Sequence, residues 1–259
     1  MLLRGFGDVD LSSPIETDHP DNTGLALRLL GLPGLTGGPR WPDLTGKTAG
    51  ATLLGGASWA GSTLGLNGTG QYADTTSIIP SSQGLYVSCR FRQTAASTYV
   101  LGLAGLVGTY HNASQNSWML RLRGQQLELA GGGSLVGGTT VLNRWTHAAA
   151  IWLPGGGTTL FLDGQPVATG NVAMTDPVAA VKIGVDFLTD PRYFTGQIDA
   201  VNVQVGIFTA NVVARDSEWS RDPGTDLRLR RLSARAYLLP SAAPVTTTWI
   251  PAFAPGWGF

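Results

Sequence analysis

Short apolar runs separated by glycine- and proline-rich turns make up most of this chain. The clearest group lies in residues 143–170, where an apolar, tryptophan-containing run is followed, after three glycines, by a second run over residues 158–162. Asp163 and Gly164 then precede a third run, and Asp-Gly between apolar segments is typical of a type I′ turn because both central residues take a positive φ. The pattern predicts a three-stranded antiparallel meander.

Other segments show the same period-2 alternation or compact apolar runs, which favour strands. Residues 126–129 alternate between polar and apolar, as expected for a half-solvated strand. Residues 131–138 are predicted to form a loop because they are rich in glycine and offer little apolar surface. One helix is predicted over residues 209–219, with Thr209 or Asn211 as its cap. The remaining predicted strands are residues 25–30, 84–93, 98–103, 117–122, 125–130, 181–185 and 193–205.

The amino-acid composition agrees with an all-β chain, and the net charge argues against two classes of binding partner. The 259 residues include 36 glycines and 15 prolines, and only 13% are charged, which suits one large β domain with extensions. The net charge is zero, so neither nucleic acid nor an anionic membrane is a predicted partner. No apolar run approaches the roughly 18 residues of a membrane span. Cys89 is the single cysteine, which excludes an intrachain disulfide.

Several motifs follow one another in an order that resembles one family. The meander contains the sequence motifs W-T-H-A and L-F-L-D-G-Q-P-V-A-T-G. Residues 64–72 are typical of a hairpin, and residues 196–203 are typical of a closing strand that precedes the helix. Together they resemble the laminin-G-like, concanavalin-A-like jelly-roll domains. The resemblance implies an all-β, two-sheet antiparallel jelly-roll sandwich over residues 24–222. It leaves an N-terminal arm (1–23) and a C-terminal extension (223–259).

The acidic residues do not predict an enzyme. Glycosidases with this sandwich need two carboxylates roughly 5–10 Å apart, and the related glucanases place them on one face of a strand. The three glutamates, Glu16, Glu128 and Glu218, lie in separate segments, and Asp186 with Asp190 is interpreted as a pair of turn residues. The three histidines are scattered and no Gly-x-Ser-x-Gly elbow occurs. No catalytic residue is therefore predicted, and a diverged polysaccharide hydrolase or lyase is the weakest alternative.

Two kinds of binding site follow from the resemblance. Some jelly rolls of this kind hold Ca²⁺ at the rim through hard oxygen ligands, and Asp43 and Asp199 are the carboxylates that remain at the corresponding places. No other cofactor is predicted. Carbohydrate binding, the best-known activity of the family, uses aromatic side chains with polar neighbours. The candidate glycan residues are Trp41, Tyr110, Asn112 and Trp118.

The C-terminal extension ends in a strongly apolar segment. Residues 249–259 contain two tryptophans and two phenylalanines, and burying each is worth on the order of 1.5–3 kcal/mol. We expect this segment to dock on its own domain or on a neighbouring subunit. The residues expected to mediate assembly are Trp249, Ile250, Phe253, Trp257 and Phe259.

Two functions of different classes are compatible with these features. The domain is of an extracellular kind, but the sequence has no recognisable secretion signal. With arms at both ends and an Arg-Asp-Pro segment at residues 221–223, it resembles domains of phage-type gene products. The leading prediction is a non-enzymatic virion component, such as a capsid decoration, fibre or tail-attached protein. It would be a homo-oligomer on the virion surface, docked to neighbouring capsid subunits through its arms. The alternative is an extracellular or cell-surface lectin-like module that binds glycans.

Overall fold

The computed structural model describes residues 23–32, 36–109, 117–186 and 190–221. These ranges contain eighteen strands and one α-helix. The strands are β1 (Leu25–Leu30), β2 (Arg40–Trp41), β3 (Ala51–Leu54), β4 (Ser58–Ala60), β5 (Thr63–Asn67), β6 (Tyr72–Thr75), β7 (Leu85–Gln93), β8 (Leu103–Gly108), β9 (Met119–Arg123), β10 (Gln126–Ala130), β11 (Ser134–Thr139), β12 (Trp145–Trp152), β13 (Gly157–Leu162), β14 (Gln165–Asn171), β15 (Lys182–Ile183), β16 (Val185–Asp186), β17 (Arg192–Tyr193) and β18 (Thr195–Val205). The helix is α1 (Ala210–Arg221).

Two large antiparallel sheets form the domain. Sheet A has the order β14-β13-β12-β7-β18-β5-β4, with β1 also paired to β18, and sheet B has the order β11-β10-β9-β8-β15-β6-β3-β2. Strands β16 and β17 form a separate small hairpin. The predicted all-β, two-sheet jelly-roll sandwich with one short helix is confirmed. Of the two predicted arms, all but residue 23 lies outside the described residues.

The core lies between the two sheets and follows from the period-2 patterns. On β7, Val87, Cys89 and Phe91 point inward and are buried, and Leu120 and Leu122 of β9 face them from sheet B. Each fully buried side chain of this size contributes on the order of 1.5–3 kcal/mol. The lone cysteine is therefore a small apolar core residue, and burial raises the pKa of its thiol well above the ordinary value.

Residues 134–138 of the glycine-rich segment after β10 belong to β11, so the loop predicted over residues 131–138 is wrong for these residues and holds only for residues 131–133. Strand β11 pairs with β10 and lies against β14, which closes this side of the sandwich. A Cβ atom on Gly137 would lie 2.5 Å from the Cβ of Ala168, closer than two carbon atoms can approach. The glycine run thus serves close packing between the sheets, where the sequence pattern suggested a lack of structure.

Two turns show where the sequence pattern was sufficient and where it was not. Asp163 and Gly164 have φ values of 49° and 84°, which confirms the predicted positive φ at both central turn residues. The predicted strand over residues 98–103 is wrong, because Leu101 and Gly102 have φ values of 60° and 65° and turn the chain before β8 begins. The helix predicted over residues 209–219 is confirmed within two residues at its C-terminal end.

Helix α1 covers part of the outer face of sheet A. Its apolar residues Val212 and Val213 pack on Tyr86, Ile151 and Phe161. Within the described ranges, no helix is long and apolar enough to cross a membrane. The part of the outer face of sheet A around Tyr86, Ile151 and Phe161 is thus used for internal packing.

The free edge of β1 is covered by the turn after β2. In the described part of the chain β1 pairs only with β18, so its other edge needs partners. The Arg28 amide donates to Asp43 Oδ1 at 3.1 Å, and the Arg28 carbonyl accepts from the Leu44 amide at 2.8 Å. Lys47 Nζ donates to the Leu25 carbonyl at 2.5 Å. The turn therefore satisfies three of the backbone groups that an edge strand otherwise exposes.

Candidate functional site

The outer face of sheet B carries a group of partly exposed aromatic and charged side chains. On β6 the inward residues Ala73 and Thr75 are buried, so the alternation of the strand turns Tyr72 and Asp74 outward. Lys182 of β15 pairs with Asp74 in register and on the same face. We call the set Tyr72, Asp74, Tyr99, Lys182 and Tyr193 the tyrosine face.

Two tyrosines from different elements lie side by side on this face. The ring centroids of Tyr72 on β6 and Tyr193 on β17 are 6.3 Å apart, with 37° between the ring planes. Burial, together with the neighbouring phenols of Tyr72 and Tyr99, raises the pKa of Tyr193. Burial and the Asp74 charge raise the pKa of Tyr72. The phenols therefore remain protonated at neutral pH and combine an apolar ring with a hydrogen-bond donor.

A charged pair borders the two rings. Lys182 Nζ forms an ion pair with Asp74 Oδ1, and both side chains keep access to solvent. A partly exposed lysine and carboxylate of this kind offer both donors and acceptors to hydroxyl groups. The face thus has apolar rings for stacking and polar groups for orientation, which is the combination found in small-molecule sites.

A buried charge network holds the β16–β17 hairpin on sheet B. Arg121 Nε and Nη2 donate to the two Glu128 carboxylate oxygens at 3.0 and 3.1 Å, and Arg121 Nη1 donates to Asp186 Oδ2 at 2.6 Å. Glu128 and Asp186 are both 0% exposed. Burial raises the pKa of Asp186 to about 6, against the opposing charges of Arg121 and Arg192. The network fixes the hairpin, and with it Tyr193.

Glu128 and Asp186 are the acidic pair that the sequence did not reveal. Glu128 was interpreted as isolated and Asp186 as a partner of Asp190, but the structure joins Glu128 to Asp186 through Arg121. Asp190 instead pairs with Arg192 at the surface, at 2.8 Å. Because both buried carboxylates are covered and engaged by guanidinium groups, their arrangement suits structural support of the face.

A second buried cluster anchors helix α1 to sheet A. Asp216 accepts hydrogen bonds from Arg28 at 2.5 Å, Tyr86 at 2.6 Å and Ser88 at 2.5 Å, and lies 3.3 Å from His147 Nε2. Burial acts to raise the pKa of Asp216, but the Arg28 charge and the bonds from His147 and Ser88 outweigh it and hold the pKa well below the ordinary value.

The serine, histidine and aspartate of this cluster do not form a catalytic triad. Ser88 donates to Asp216, whereas a triad requires the serine to bond to the histidine. Ser88 and His147 are each 3% exposed. The sequence placed His147 in a structural strand position, and its bond to Asp216 on the helix could not be inferred from spacing.

The predicted glycan residues Trp41 and Trp118 lie in the core. Both are 0% exposed, so neither can stack on a sugar. Trp41 packs edge-to-face on Trp59, with ring centroids 5.6 Å apart, and Trp118 Nε1 donates to the Ile79 carbonyl at 3.3 Å. In these short segments no local pattern distinguishes an inward tryptophan from an outward one. Tyr110 and Asn112 lie outside the described residues, as do Trp249, Ile250, Phe253, Trp257 and Phe259.

The predicted calcium ligands Asp43 and Asp199 are bonded to protein donors. Asp43 accepts five hydrogen bonds, from the Arg28 amide and from the amide and hydroxyl groups of Thr45 and Thr48. Asp199 forms an ion pair with Arg90. No group of three or more acidic, histidine or cysteine side chains is arranged for a metal ion in the described ranges. Asp43 and Asp199 thus already have protein partners, and calcium binding by them stays a prediction.

Several solved structures share the fold at low sequence identity. A Trypanosoma rangeli sialidase in complex with 2,3-difluoro-KDN is 14% identical over 83% of this chain, with a TM-score of 0.60. Domain 4 of the extracellular arabinanase AbnA from Geobacillus stearothermophilus, in complex with arabinotriose, is 18% identical over 74%, with a TM-score of 0.59. The binding domain of botulinum neurotoxin serotype D is 14% identical over 75%, with a TM-score of 0.57.

The fraction of each solved chain that this protein covers differs among the three structures. The chain spans 37% of the sialidase chain and 51% of the neurotoxin binding domain, but 97% of the arabinanase domain. Comparison with curated proteins gives no match. A family model described as the concanavalin A-like lectin/glucanases superfamily matches residues 66–214, which is more than half of the sequence. The chain therefore belongs to the concanavalin A-like lectin/glucanases superfamily, as its sequence motifs predicted.

Proposed function

We propose that this protein is a non-catalytic carbohydrate-binding module that holds saccharides on the tyrosine face. The observation that carries the proposal is the pair of partly exposed phenols, Tyr72 and Tyr193, beside the Asp74–Lys182 ion pair. The rings supply surfaces on which the apolar faces of sugar rings stack, and the ion pair supplies hydrogen bonds to hydroxyl groups. This chain covers 97% of the arabinanase domain, and the structure of that domain was solved in complex with arabinotriose. This similarity supports the same class of ligand for the present protein.

The test is calorimetric titration with a panel of oligosaccharides that includes arabinotriose. We expect wild-type protein to bind at least one member, and Tyr72→Ala and Tyr193→Ala each to weaken that binding at least tenfold. Trp145→Ala is the matched control, because Trp145 is a partly exposed aromatic residue on sheet A, stacked by Arg90 at 4.6 Å. Equal losses in all three variants, or no binding by wild type, would refute the proposal.

The absence of catalysis is the second part of the proposal. Glu128 and Asp186 are buried under Arg121, and Asp216 is buried under α1, so neither cluster can reach a glycosidic bond as it stands. Assays of reducing-sugar release on the same panel should give the rate of a buffer blank. Turnover that disappears in Glu128→Gln would instead assign an enzyme to this network.

The virion component stays our second candidate, and the apolar segment 249–259 favours it. In that role the protein would be a homo-oligomer on a particle surface and reach the extracellular space with the particle. Light scattering of the full-length protein and of a version ended after residue 232 tests the assembly part. An oligomer that becomes a monomer on truncation supports it. A monomer in both forms leaves the free-standing, extracellular glycan-binding module.

A further inference from the structure

One arginine on the outer face of sheet A has a neutral partner instead of a carboxylate. Arg92 of β7 is half-buried, and its Nη2 donates to the side-chain oxygen of Gln197 on β18 at 2.6 Å. Arg90, two residues earlier on the same face of β7, is paired with Asp199. Arg92 forms no ion pair with any carboxylate in the described part of the chain, so its charge is not balanced there.

The guanidinium of Arg92 is fixed by the neighbouring strand. Arg92 and Trp145 of β12 are cross-strand partners, and Arg92 Cζ lies 5.6 Å from the centroid of the indole ring, within the range of a cation–π contact. Arg92 Nε is buried and has no hydrogen-bond partner. Packing has thus partly removed this charge from water, which costs free energy. An anion bound next to the guanidinium would offset that cost.

The amide of Gln197 turns a second donor towards an open part of the face. A guanidinium only donates hydrogen bonds, so the amide oxygen faces Arg92 and the Nε2 group is turned away from it. Among the described residues Nε2 has no partner. Gly65 of β5 is the in-register neighbour of Gln197, and it lies on the outer face because Leu64 and Leu66 point into the core. The glycine leaves space beside the two donors.

We propose that Arg92 and Gln197 form an oxyanion site on the outer face of sheet A, with Gly65 providing the room for the bound group. The guanidinium and the Nε2 group can only donate hydrogen bonds, and an oxyanion such as sulfate can only accept them. A neutral hydroxyl group in the same place would leave the charge of Arg92 unbalanced. The inference does not rest on the proposed function, because the tyrosine face lies on sheet B.

A sulfate group can reach this site as the free ion or as an ester on a saccharide. Ser58 of β4 follows Gly65 across the sheet, so two small residues leave a flat floor next to the donors. A sugar ring that carries the sulfate can lie on this floor, whereas the ion alone leaves it uncovered. We therefore expect a sulfated saccharide to bind more tightly than the free ion.

The experiment is calorimetric titration with sodium sulfate, dextran sulfate and unmodified dextran at constant ionic strength. Wild type should bind dextran sulfate more tightly than dextran by about tenfold or more, and Arg92→Gln should remove this difference, as expected for hydrogen bonds to a charged group. Gln197→Glu keeps the side-chain shape and its bond to Arg92 but supplies the missing counter-charge. It should weaken sulfate binding to a similar extent without lowering the melting temperature.

The controls separate the site from unspecific charge effects and from the proposed function. Arg144→Gln removes the same charge from a side chain that is 64% exposed and pairs with Asp163, so it should leave sulfate binding unchanged. Tyr72→Ala should also leave it unchanged.

The possible results differ in what they decide. No binding of either sulfate probe by wild type overturns the site, and so do equal losses in Arg144→Gln and Arg92→Gln. A loss in Tyr72→Ala that Arg92→Gln does not reproduce overturns it as well, since the charged group would then bind at the tyrosine face. Equal affinity for both sulfate probes, lost in Arg92→Gln, supports the site with the free ion as its ligand. If sulfate binding depends on Arg92 but no neutral sugar binds, the proposed function alone fails.

Discussion

Lowering the pH from 7 to 5 should stabilise this protein, because burial raises the pKa of Asp199 and the folded state therefore favours the protonated carboxyl. Asp199 is 5% exposed beside Arg90. Burial raises its pKa to about 7, although the charge of Arg90 and its hydrogen bond act in the opposite direction. The unfolded chain has the ordinary value, so the folded state binds the proton more tightly. The stabilisation is fully present below the unfolded pKa and is lost as the pH rises through the folded pKa.

The size of the effect follows from the two pKa values. The shift of the Asp199 pKa from 3.8 to about 7 changes the free energy of unfolding by about 4 kcal/mol over the whole pH range. About 2 kcal/mol of this change falls between pH 7 and pH 5. Asp186, with a pKa of about 6, adds about 1 kcal/mol over the same interval. Asp216 has a depressed pKa, so its stabilisation is lost only as the pH falls below the ordinary value near 4.

Urea denaturation at pH 5, 6, 7 and 8 measures this free energy of unfolding. Asp199→Asn removes the titration, so we expect the variant to be more stable than wild type at pH 7 and to lose most of the rise towards pH 5. Glu218→Gln is the control, because it removes an exposed carboxylate on α1 and should not reduce the rise in stability towards pH 5. A wild-type stability that is flat or falls from pH 7 to pH 5, or an unchanged profile in Asp199→Asn, would refute the reasoning.

Three further predictions test other parts of the structure. Asp216→Ala removes the buried carboxylate that pairs with Arg28 and accepts from Tyr86 and Ser88, so the free energy of unfolding should fall by about 3 kcal/mol or more in chemical denaturation. Gly137→Val brings a side chain against Ala168 and should lower the free energy of unfolding by about 1–3 kcal/mol. Gly133→Val is the control, because Gly133 has open space around it and the substitution should leave the free energy of unfolding unchanged. Calcium added to chelator-treated protein should produce neither heat nor a change in melting temperature, because Asp43 is already saturated; a binding isotherm would contradict this.

The two-sheet sandwich could be predicted from the sequence because the alternation of apolar and polar residues along a strand is a local signal. The meander after residue 143 and the helix after Thr209 were predicted from neighbouring residues alone, and the family resemblance supplied their order. The pattern of Tyr72 and Asp74, two residues apart on a strand, also lay within reach of sequence reasoning. Nothing local shows, however, whether the face that they share meets solvent or the core.

The rest of the candidate site depends on contacts between distant segments. Tyr193 reaches Tyr72 only because the β16–β17 hairpin packs on sheet B, and that packing depends on Arg121 bridging Glu128 and Asp186. Similarly, nothing local distinguishes the inward Trp118 from an outward aromatic residue. Burial of a side chain in a short strand is decided by the sheet opposite, which no local pattern describes.

The covered edge of β1 also affects how copies of this protein behave at high local concentration. Under the proposed function, multivalent polysaccharides would gather copies into dense arrays, since linked sites raise avidity without any new contact. Dense arrays also favour strand-to-strand association between neighbours, which ends in aggregation. Because Asp43 and Lys47 occupy the outward backbone groups of Arg28 and Leu25, crowded copies cannot extend sheet A through β1. The turn that was predicted to hold calcium thus blocks strand addition at the β1 edge of sheet A.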